Sequence, residues 1–235
     1  MPESGSAVIV VSFWPGFLIV IVRSAFGLSG QKCSALSRIY VDADVADPLI
    51  RKLQEKIAAI KVGDPTEKAN WMGPVATSNA LQNYRAFCPR LTTDGGCILC
   101  GGEQLTAGEL KHGLFVAPTL AEAPATHPLF QEEMFLPIVM LCRVADRAEA
   151  MRLTNDSPLG LTAGCYGSDD DIAYFFEHIE AGVTYANRPQ GATTGAWPGY
   201  QPFGGWKGSG STGKAIASFY YLALYLREQS RTVVE

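Results

Sequence analysis

An α/β architecture built on a largely parallel βαβ sheet is predicted by three observations. Phe135 to Val144 is an almost unbroken apolar run, the pattern of a strand buried on both faces. Short apolar runs alternate along the chain with segments of helical periodicity. Those helical segments carry apolar residues on one side only, as Leu49, Ile50, Leu53, Ile57 and Ile60 do, so each needs a sheet or helix to cover.

Taken in order, the chain begins with Ala7–Val22, AVIVVSFWPGFLIVIV, which carries no charge. It is shorter than the ~20 apolar residues of a spanning helix, and Pro15-Gly16 interrupts it. Glu3 is the only charged side chain ahead of it, whereas a signal peptide carries basic residues there. Two short buried strands around a turn, or an abnormal start to the chain, are the readings that remain. A membrane anchor is disfavoured. Leu36 to Asp42 is predicted as a strand. Asp47-Pro48 offers a cap and a first-turn proline for the helix through Ile60, which Gly63 ends. A loop to Val75 and a helix over Ser78–Phe87, closing before Pro89, come next.

Gly96–Leu99 is predicted as a strand. Leu114–Leu120 is predicted as extended, with Pro118 pointing to a sheet edge. After the apolar run ending at Val144, a helix over Asp146–Thr154 and a strand over Leu161–Tyr166 are expected. Asp169-Asp170-Asp171 opens a further helix with acidic residues where the helix dipole favours them. Ile172, Phe175, Phe176 and Ile179 form its apolar face, and Val183–Ala186 is the following strand. Phe219–Glu235 is predicted as a helix followed by the strand Arg231–Val234. The organisation expected is an atypical apolar segment over 1–22, an α/β domain over 23–213 and a C-terminal helix and strand over 214–235.

With 235 residues, 47% hydrophobic and 18% charged, the chain is long enough for a real core. Its net charge of -4 and scattered basic residues argue against nucleic-acid binding. Six cysteines, at 33, 88, 97, 100, 142 and 165, are too sparse for a secreted disulfide scaffold. A reducing compartment follows, cytoplasmic by default with the mitochondrial matrix left open. Cys97-Ile98-Leu99-Cys100 has half the spacing of a zinc clip. In a regular strand, however, residues three apart point to opposite faces, and His112, His127 and His178 do not cluster with it in sequence, so no metal is expected.

Three stretches carry chemistry. Arg23 to Arg38 places Cys33 just beyond Gly27 and Gly30, at a junction where helical pattern becomes extended. A nucleophile suits such a tight turn, because backbone N–H groups can face the same space as its sulfur. Lys32 supplies a nearby cation, which favours the reactive thiolate. In Phe130–Ile138, Glu132 reads as a solvated turn residue, while Glu133 enters a buried strand and needs a bonded partner. Gly191 to Gly213 contains Thr194-Gly195-Ala196 and Gln201-Pro202-Phe203-Gly204-Gly205. It matches neither a P-loop nor a dinucleotide fingerprint, but it can bring backbone amides and Phe203 close to a ligand.

Gly30-Gln31-Lys32-Cys33-Ser34, then Glu132-Glu133-Met134-Phe135, then Asn187-Arg188 and Pro202-Phe203-Gly204-Gly205-Trp206-Lys207-Gly208-Ser209-Gly210, in this order, resemble the aldehyde dehydrogenase superfamily. The resemblance runs from about Arg23 to Val234 and looks closest to the glutamate-semialdehyde (pyrroline-carboxylate) dehydrogenases of proline breakdown. It implies the catalytic domain of that fold and oxidation of an aldehyde with NAD or NADP and no metal.

The resemblance also assigns roles. Cys33 matches the nucleophile that attacks the aldehyde to give a thiohemiacetal and then a thioester. Its backbone N–H matches one oxyanion donor. Glu133 matches the carboxylate on the nicotinamide ribose and Phe135 the aromatic beside it. Ser34, Gly195 and Ala196 match the groups holding the substrate α-carboxylate, and Phe203 matches an aromatic of the aldehyde channel. The returning C-terminal strand implies a homo-oligomer.

The departures are equally specific. Only 32 residues precede Cys33, where the family has a nucleotide-binding domain. Glu3 is the only carboxylate before Cys33 and no Asn precedes it, so the family's general base and second oxyanion donor have no counterpart. Residues before Arg23 do not look like the amphipathic helix expected to lead into the cysteine, and Leu136 stands where glycine is commoner. The expectation is therefore an enzyme of the aldehyde dehydrogenase type whose catalytic half turns over no aldehyde by itself, against the alternative of a truncated, non-catalytic fragment that folds, or associates with full-length subunits, without turnover.

Overall fold

The computed structural model describes residues 6–10, 17–188, 201–210 and 213–235. A seven-stranded sheet forms its centre, in the order β3-β4-β5-β2-β1-β7-β8. The strands are β1 (Ser6–Val10), β2 (Arg38–Asp42), β3 (Cys97–Cys100), β4 (Thr119–Glu122), β5 (Ile138–Val144), β7 (Thr162–Tyr166) and β8 (Val183–Ala186). β3 runs antiparallel to β4, and every other pairing is parallel. A separate two-stranded ribbon joins β6 (Leu159–Gly160) to β9 (Trp206–Lys207).

Helices cover both faces, as a buried parallel sheet requires. On one side α1 (Phe17–Phe26) and α2 (Ala43–Ala58) pack on Ile39 and Val41 of β2 and on Val139 and Leu141 of β5. On the other, α3 (Ser78–Arg90), α4 (Arg147–Asn155) and α5 (Asp169–His178) pack on Tyr40, Ile138, Met140 and Cys142. The period-2 alternation within β2 and β5 sorts their side chains between the two layers. Caps fix several helix starts: Asp42 accepts from the Asp44 N–H, Thr77 from Ala80, and Ser168 and Asp171 form a reciprocal capping box.

The first apolar segment departs from expectation. It supplies one strand and one helix instead of two strands, and β1 lies inside the sheet between β2 and β7. α1 then runs straight towards Cys33, with Leu18, Val20, Ile21, Val22, Ala25 and Phe26 all buried. A helix enclosed on nearly every side shows no polar face, so its apolar run cannot be told from a buried strand by periodicity. A boundary at residue 22 therefore falls inside α1.

Smaller corrections have local causes. α2 begins at Ala43, capped by Asp42 instead of Asp47, and carries Pro48 internally, while α3 runs through Pro89 to Arg90. Pro118 does not mark an edge: it immediately precedes β4, an interior strand, and leaves that ladder's donors intact. Cys97 and Cys100 do not alternate as in a regular strand, because the β3–β4 register shifts between Ile98 and Cys100. At the C-terminus, Leu222–Tyr225 forms one 3-10 turn and 226–235 is exposed without helix or strand. A strand there would need a partner, and among the described residues no strand of the chain pairs with it. No helix among the described residues is long and apolar enough to cross a membrane.

Because the strands are parallel, the segments entering them collect at one edge of the sheet. The Cys33 loop enters β2, the Glu133–Pro137 segment enters β5, and Gly182, against which Gly204 and Gly205 pack, enters β8.

Candidate active site

The first wall of the site is the turn between α1 and β2. Leu28, Ser29 and Gly30 take three successive left-handed conformations, with φ of 56°, 55° and 68°. The turn is held by tertiary bonds: the Ser29 hydroxyl lies 3.0 Å from the Gly73 carbonyl and 3.1 Å from that of Pro74. Gln31 Oε1 accepts from the Ala76 N–H at 2.7 Å, and Leu36 N–H donates to the Ser24 carbonyl at 3.0 Å. Within this frame Ala35 N–H closes onto the Lys32 carbonyl at 3.0 Å, placing Cys33 and Ser34 at the centre of a tight turn.

Cys33 is exposed and Ser34 is buried. Burial holds the Lys32 ammonium below the usual lysine value, and the adjacent Cys33 sulfur, when ionised, draws it back up. The other cysteines of the core are poorly suited to attack. Burial pushes the Cys142 thiol up to about 11 and the Cys165 thiol up to about 12.

The second wall is Pro128–Pro137. His127 starts it: its Nδ1 accepts from the Leu129 N–H at 3.2 Å, which assigns the ring proton to Nε2, 3.1 Å from the Arg90 carbonyl. Glu132 is not merely solvated. It forms a two-pronged pair with Arg90, at 2.9 and 2.5 Å, which holds its carboxyl below the usual carboxylate value. Glu133 is partly exposed, Met134 is buried, and Phe135, with a φ of 52°, is 43% exposed.

The two walls touch through backbone. A Cβ built on Gly30 would lie 2.3 Å from the Leu136 carbonyl oxygen and 2.6 Å from Pro137 N. Arg38, wholly buried five residues after Cys33, adds a second tie by donating from Nη1 to the Phe130 carbonyl at 3.4 Å. Burial pushes its guanidinium below the usual arginine value, while Tyr40, hydrogen-bonded to it, acts the other way. Arg38, Ser29 and Gln31 were given no role by sequence reasoning. A signal existed for Arg38, since an arginine opening a buried strand requires partners.

Phe203 is partly exposed and bonded to Ile216 in both directions at 2.9 Å. It shares the sheet edge with Cys33, but β8 lies three strand spacings from β2, about 14 Å. Asn187 clamps Gly167 through both amide atoms, a structural task. Gly195 and Ala196, with Thr194, lie outside the described residues. The structure thus joins Cys33, Ser34, Glu133 and Phe135 through adjoining loops, and puts the Phe203 stretch on the same edge beside the entry to β8.

Comparison with known proteins places the sequence and the fold among known families. Residues 17–230 match the group described as the aldehyde dehydrogenase family. The 1-pyrroline-5-carboxylate dehydrogenase of Geobacillus kaustophilus is 36% identical over 217 residues, covering 92% of this chain and 40% of its own length. That of Bacillus mycoides is 37% identical over the same span. Among solved structures, the Thermus 1-pyrroline-5-carboxylate dehydrogenase with bound NAD aligns with a TM-score of 0.85 and 33% identity, covering 96% of this chain and 42% of that one. Betaine aldehyde dehydrogenase from Staphylococcus aureus aligns with a TM-score of 0.83 and 25% identity, covering 91% and 42%. The chain spans about two fifths of the length of these relatives.

Proposed function

Because the chain belongs to the aldehyde dehydrogenase family, whose members are oxidoreductases, we propose that its site oxidises an aldehyde through Cys33, with glutamate 5-semialdehyde as substrate and NAD as cofactor. The observation that carries this reading is the backbone contact of Gly30 with Leu136, which sets the exposed Cys33 turn against the segment bearing Glu133 and Phe135.

The Cys33 thiolate attacks the aldehyde carbon, forming a C–S bond while the carbonyl π pair moves onto oxygen. Its backbone N–H, at the centre of the turn, donates to that oxyanion, an interaction whose loss typically costs ~3 kcal/mol in the barrier. Sulfur suits the role because it is both nucleophilic near neutral pH and a good leaving group from an acyl-enzyme. Residues present fit a nicotinamide nucleotide: the half-exposed Phe135 ring offers a flat apolar face, and the Glu133 carboxylate two residues before it can accept from a ribose diol. When bound, the cofactor supplies the hydride acceptor. NAD is preferred because a Thermus relative binds it. Ser34, with Gly195 and Ala196, would hold the substrate α-carboxylate, and Phe203 would line the approach.

Cleavage of the thioester by water needs a general base, and Glu132 beside the site is already committed to Arg90. Residues 1–235 on their own are therefore expected to show no steady-state NADH formation. A second reading, association without turnover, is favoured by exposed Phe219, Tyr220, Leu222, Tyr225 and Leu226 near the C-terminus, with Arg231–Val234 as an intersubunit strand of a homo-oligomer.

Protection against iodoacetamide tests the chemistry without requiring turnover. Glutamate 5-semialdehyde is expected to slow alkylation of Cys33 more than butanal, which lacks the α-carboxylate. Equal protection by both removes the substrate assignment and keeps the nucleophile. No protection by either removes Cys33 from the chemistry.

A further inference from the structure

The Cys-Ile-Leu-Cys segment lies on edge strand β3, three strand spacings, about 14 Å, from the β2 that follows Cys33. In a regular strand its two cysteines would sit on opposite faces, about 10 Å apart along the chain. The register with β4 changes this. Cys97 pairs with Glu122 and Ile98 with Ala121, but Cys100 pairs with Leu120, so Leu99 and Cys100 together oppose one residue. Such a bulge puts one extra residue into the strand and inverts the alternation beyond it.

Packing gives the same orientation. Ile98 packs on the α3 and α4 side, whereas Leu99 and Cys100 pack on the α2 side. Cys97 stands directly opposite Glu122, and residues directly opposed in an antiparallel pair share a face. Glu122 bonds Arg143 at 2.6 Å, and Arg143 in turn reaches Asp47 of α2 at 2.7 Å. Cys97 therefore also faces the α2 side. Gln54 of α2 reaches over this stretch to the Leu99 carbonyl at 2.9 Å.

On that side Cys97 is exposed and Cys100 is partly exposed. Their cross-strand partners are two residues apart, which sets the Cys97–Cys100 spacing near 6.6 Å. That lies within the Cα separations over which two cysteine sulfurs meet, roughly 4.4–6.8 Å, so both can bond one bridging atom. Cys88, Cys142 and Cys165 are all buried in the opposite layer and cannot share the ligand.

We propose that Cys97 and Cys100 form a dithiol site, created by the β3 bulge, that chelates thiophilic trivalent arsenicals. With phenylarsine oxide the step is a condensation without redox change. The As–O bond breaks, two As–S bonds form, and the two thiol protons leave with the oxygen as water. Cys97, the more exposed of the two, bonds first, and the partly buried Cys100 closes the ring.

The test treats the full 235-residue chain with phenylarsine oxide, washes it with excess 2-mercaptoethanol, and counts retained arsenic by mass spectrometry. A single retained equivalent is expected, released by 1,2-ethanedithiol. Cys97→Ser and Cys100→Ser are each expected to abolish retention, whereas Cys33→Ser and Cys88→Ser keep it. Retention undiminished in Cys97→Ser, a variant at an exposed position that leaves the core untouched, overturns the proposal. So does the absence of thiol-resistant arsenic on the unaltered chain.

Discussion

The carbonyl oxygen of Leu136 occupies the place that a side chain on Gly30 would need, 2.3 Å from where its Cβ would stand. Gly30 lies three residues before the exposed cysteine, and Leu136 follows the half-exposed Phe135. One backbone contact thus registers two loops that are about a hundred positions apart in the chain. The left-handed geometry at Leu28 and Ser29 is held separately, by the bonds of Ser29 to Gly73 and Pro74 and of Gln31 to Ala76.

Gly30→Ala is expected to destabilise the chain by about 3 kcal/mol, combining left-handed strain with a clash against backbone that cannot swing aside. Gly27→Ala, with nothing within 4 Å of its Cβ, serves as the control and should shift stability by less than about 0.5 kcal/mol. Urea denaturation of the two variants measures this, and equal midpoints would falsify the contact.

Iodoacetamide at pH 8 should modify Cys33 well before Cys142 or Cys165. A thiol pushed up to about 11 is ionised in only about one molecule in a thousand at that pH, and both core thiols are also buried. Peptide mapping against time gives the order. Early labelling at position 142 or 165 would mean that the sheet core opens readily.

Glu133→Gln should weaken the protection NAD gives Cys33 against alkylation by about tenfold, the loss of one charge-assisted hydrogen bond. Glu132→Gln should leave that protection intact, because Glu132 already faces Arg90. If the neighbouring glutamate proves the sensitive one, the cofactor contact has been assigned to the wrong carboxylate.

The Arg90–Glu132 pair makes a pH-dependent contribution of known sign. Arg90 lowers the folded-state carboxyl value, so the pair stabilises the fold above the unfolded carboxylate value and loses that effect as pH falls through the folded one. Both side chains are more than 40% exposed, which limits the contribution to about 1 kcal/mol or less. The stability gap between the unaltered chain and Glu132→Gln should close between pH 7 and pH 3 and narrow in high salt. A gap that widens on acidification would contradict the pairing.

Much of this was legible in the residues themselves. The apolar run before Val144, the stripe of α2 and the acidic start of α5 each encode which face is buried, because a side chain's burial depends on the local period of the backbone. The order of the Cys33, Glu133 and Phe203 stretches was readable for the same reason: motifs are local in sequence. Less legible was α1, whose burial on nearly all sides erases the period that marks a helix.

What only the tertiary structure decided are the relations between distant segments. The sheet order gathers the loops entering β2, β5 and β8 at one edge, and buried Arg38 and Gly30 lock two of them together. A one-residue register shift turns Cys97 and Cys100 onto one face. Local pattern specifies which side of a strand is apolar, whereas pairing partners and bulges are chosen by the fit of surfaces that meet only when the chain has folded.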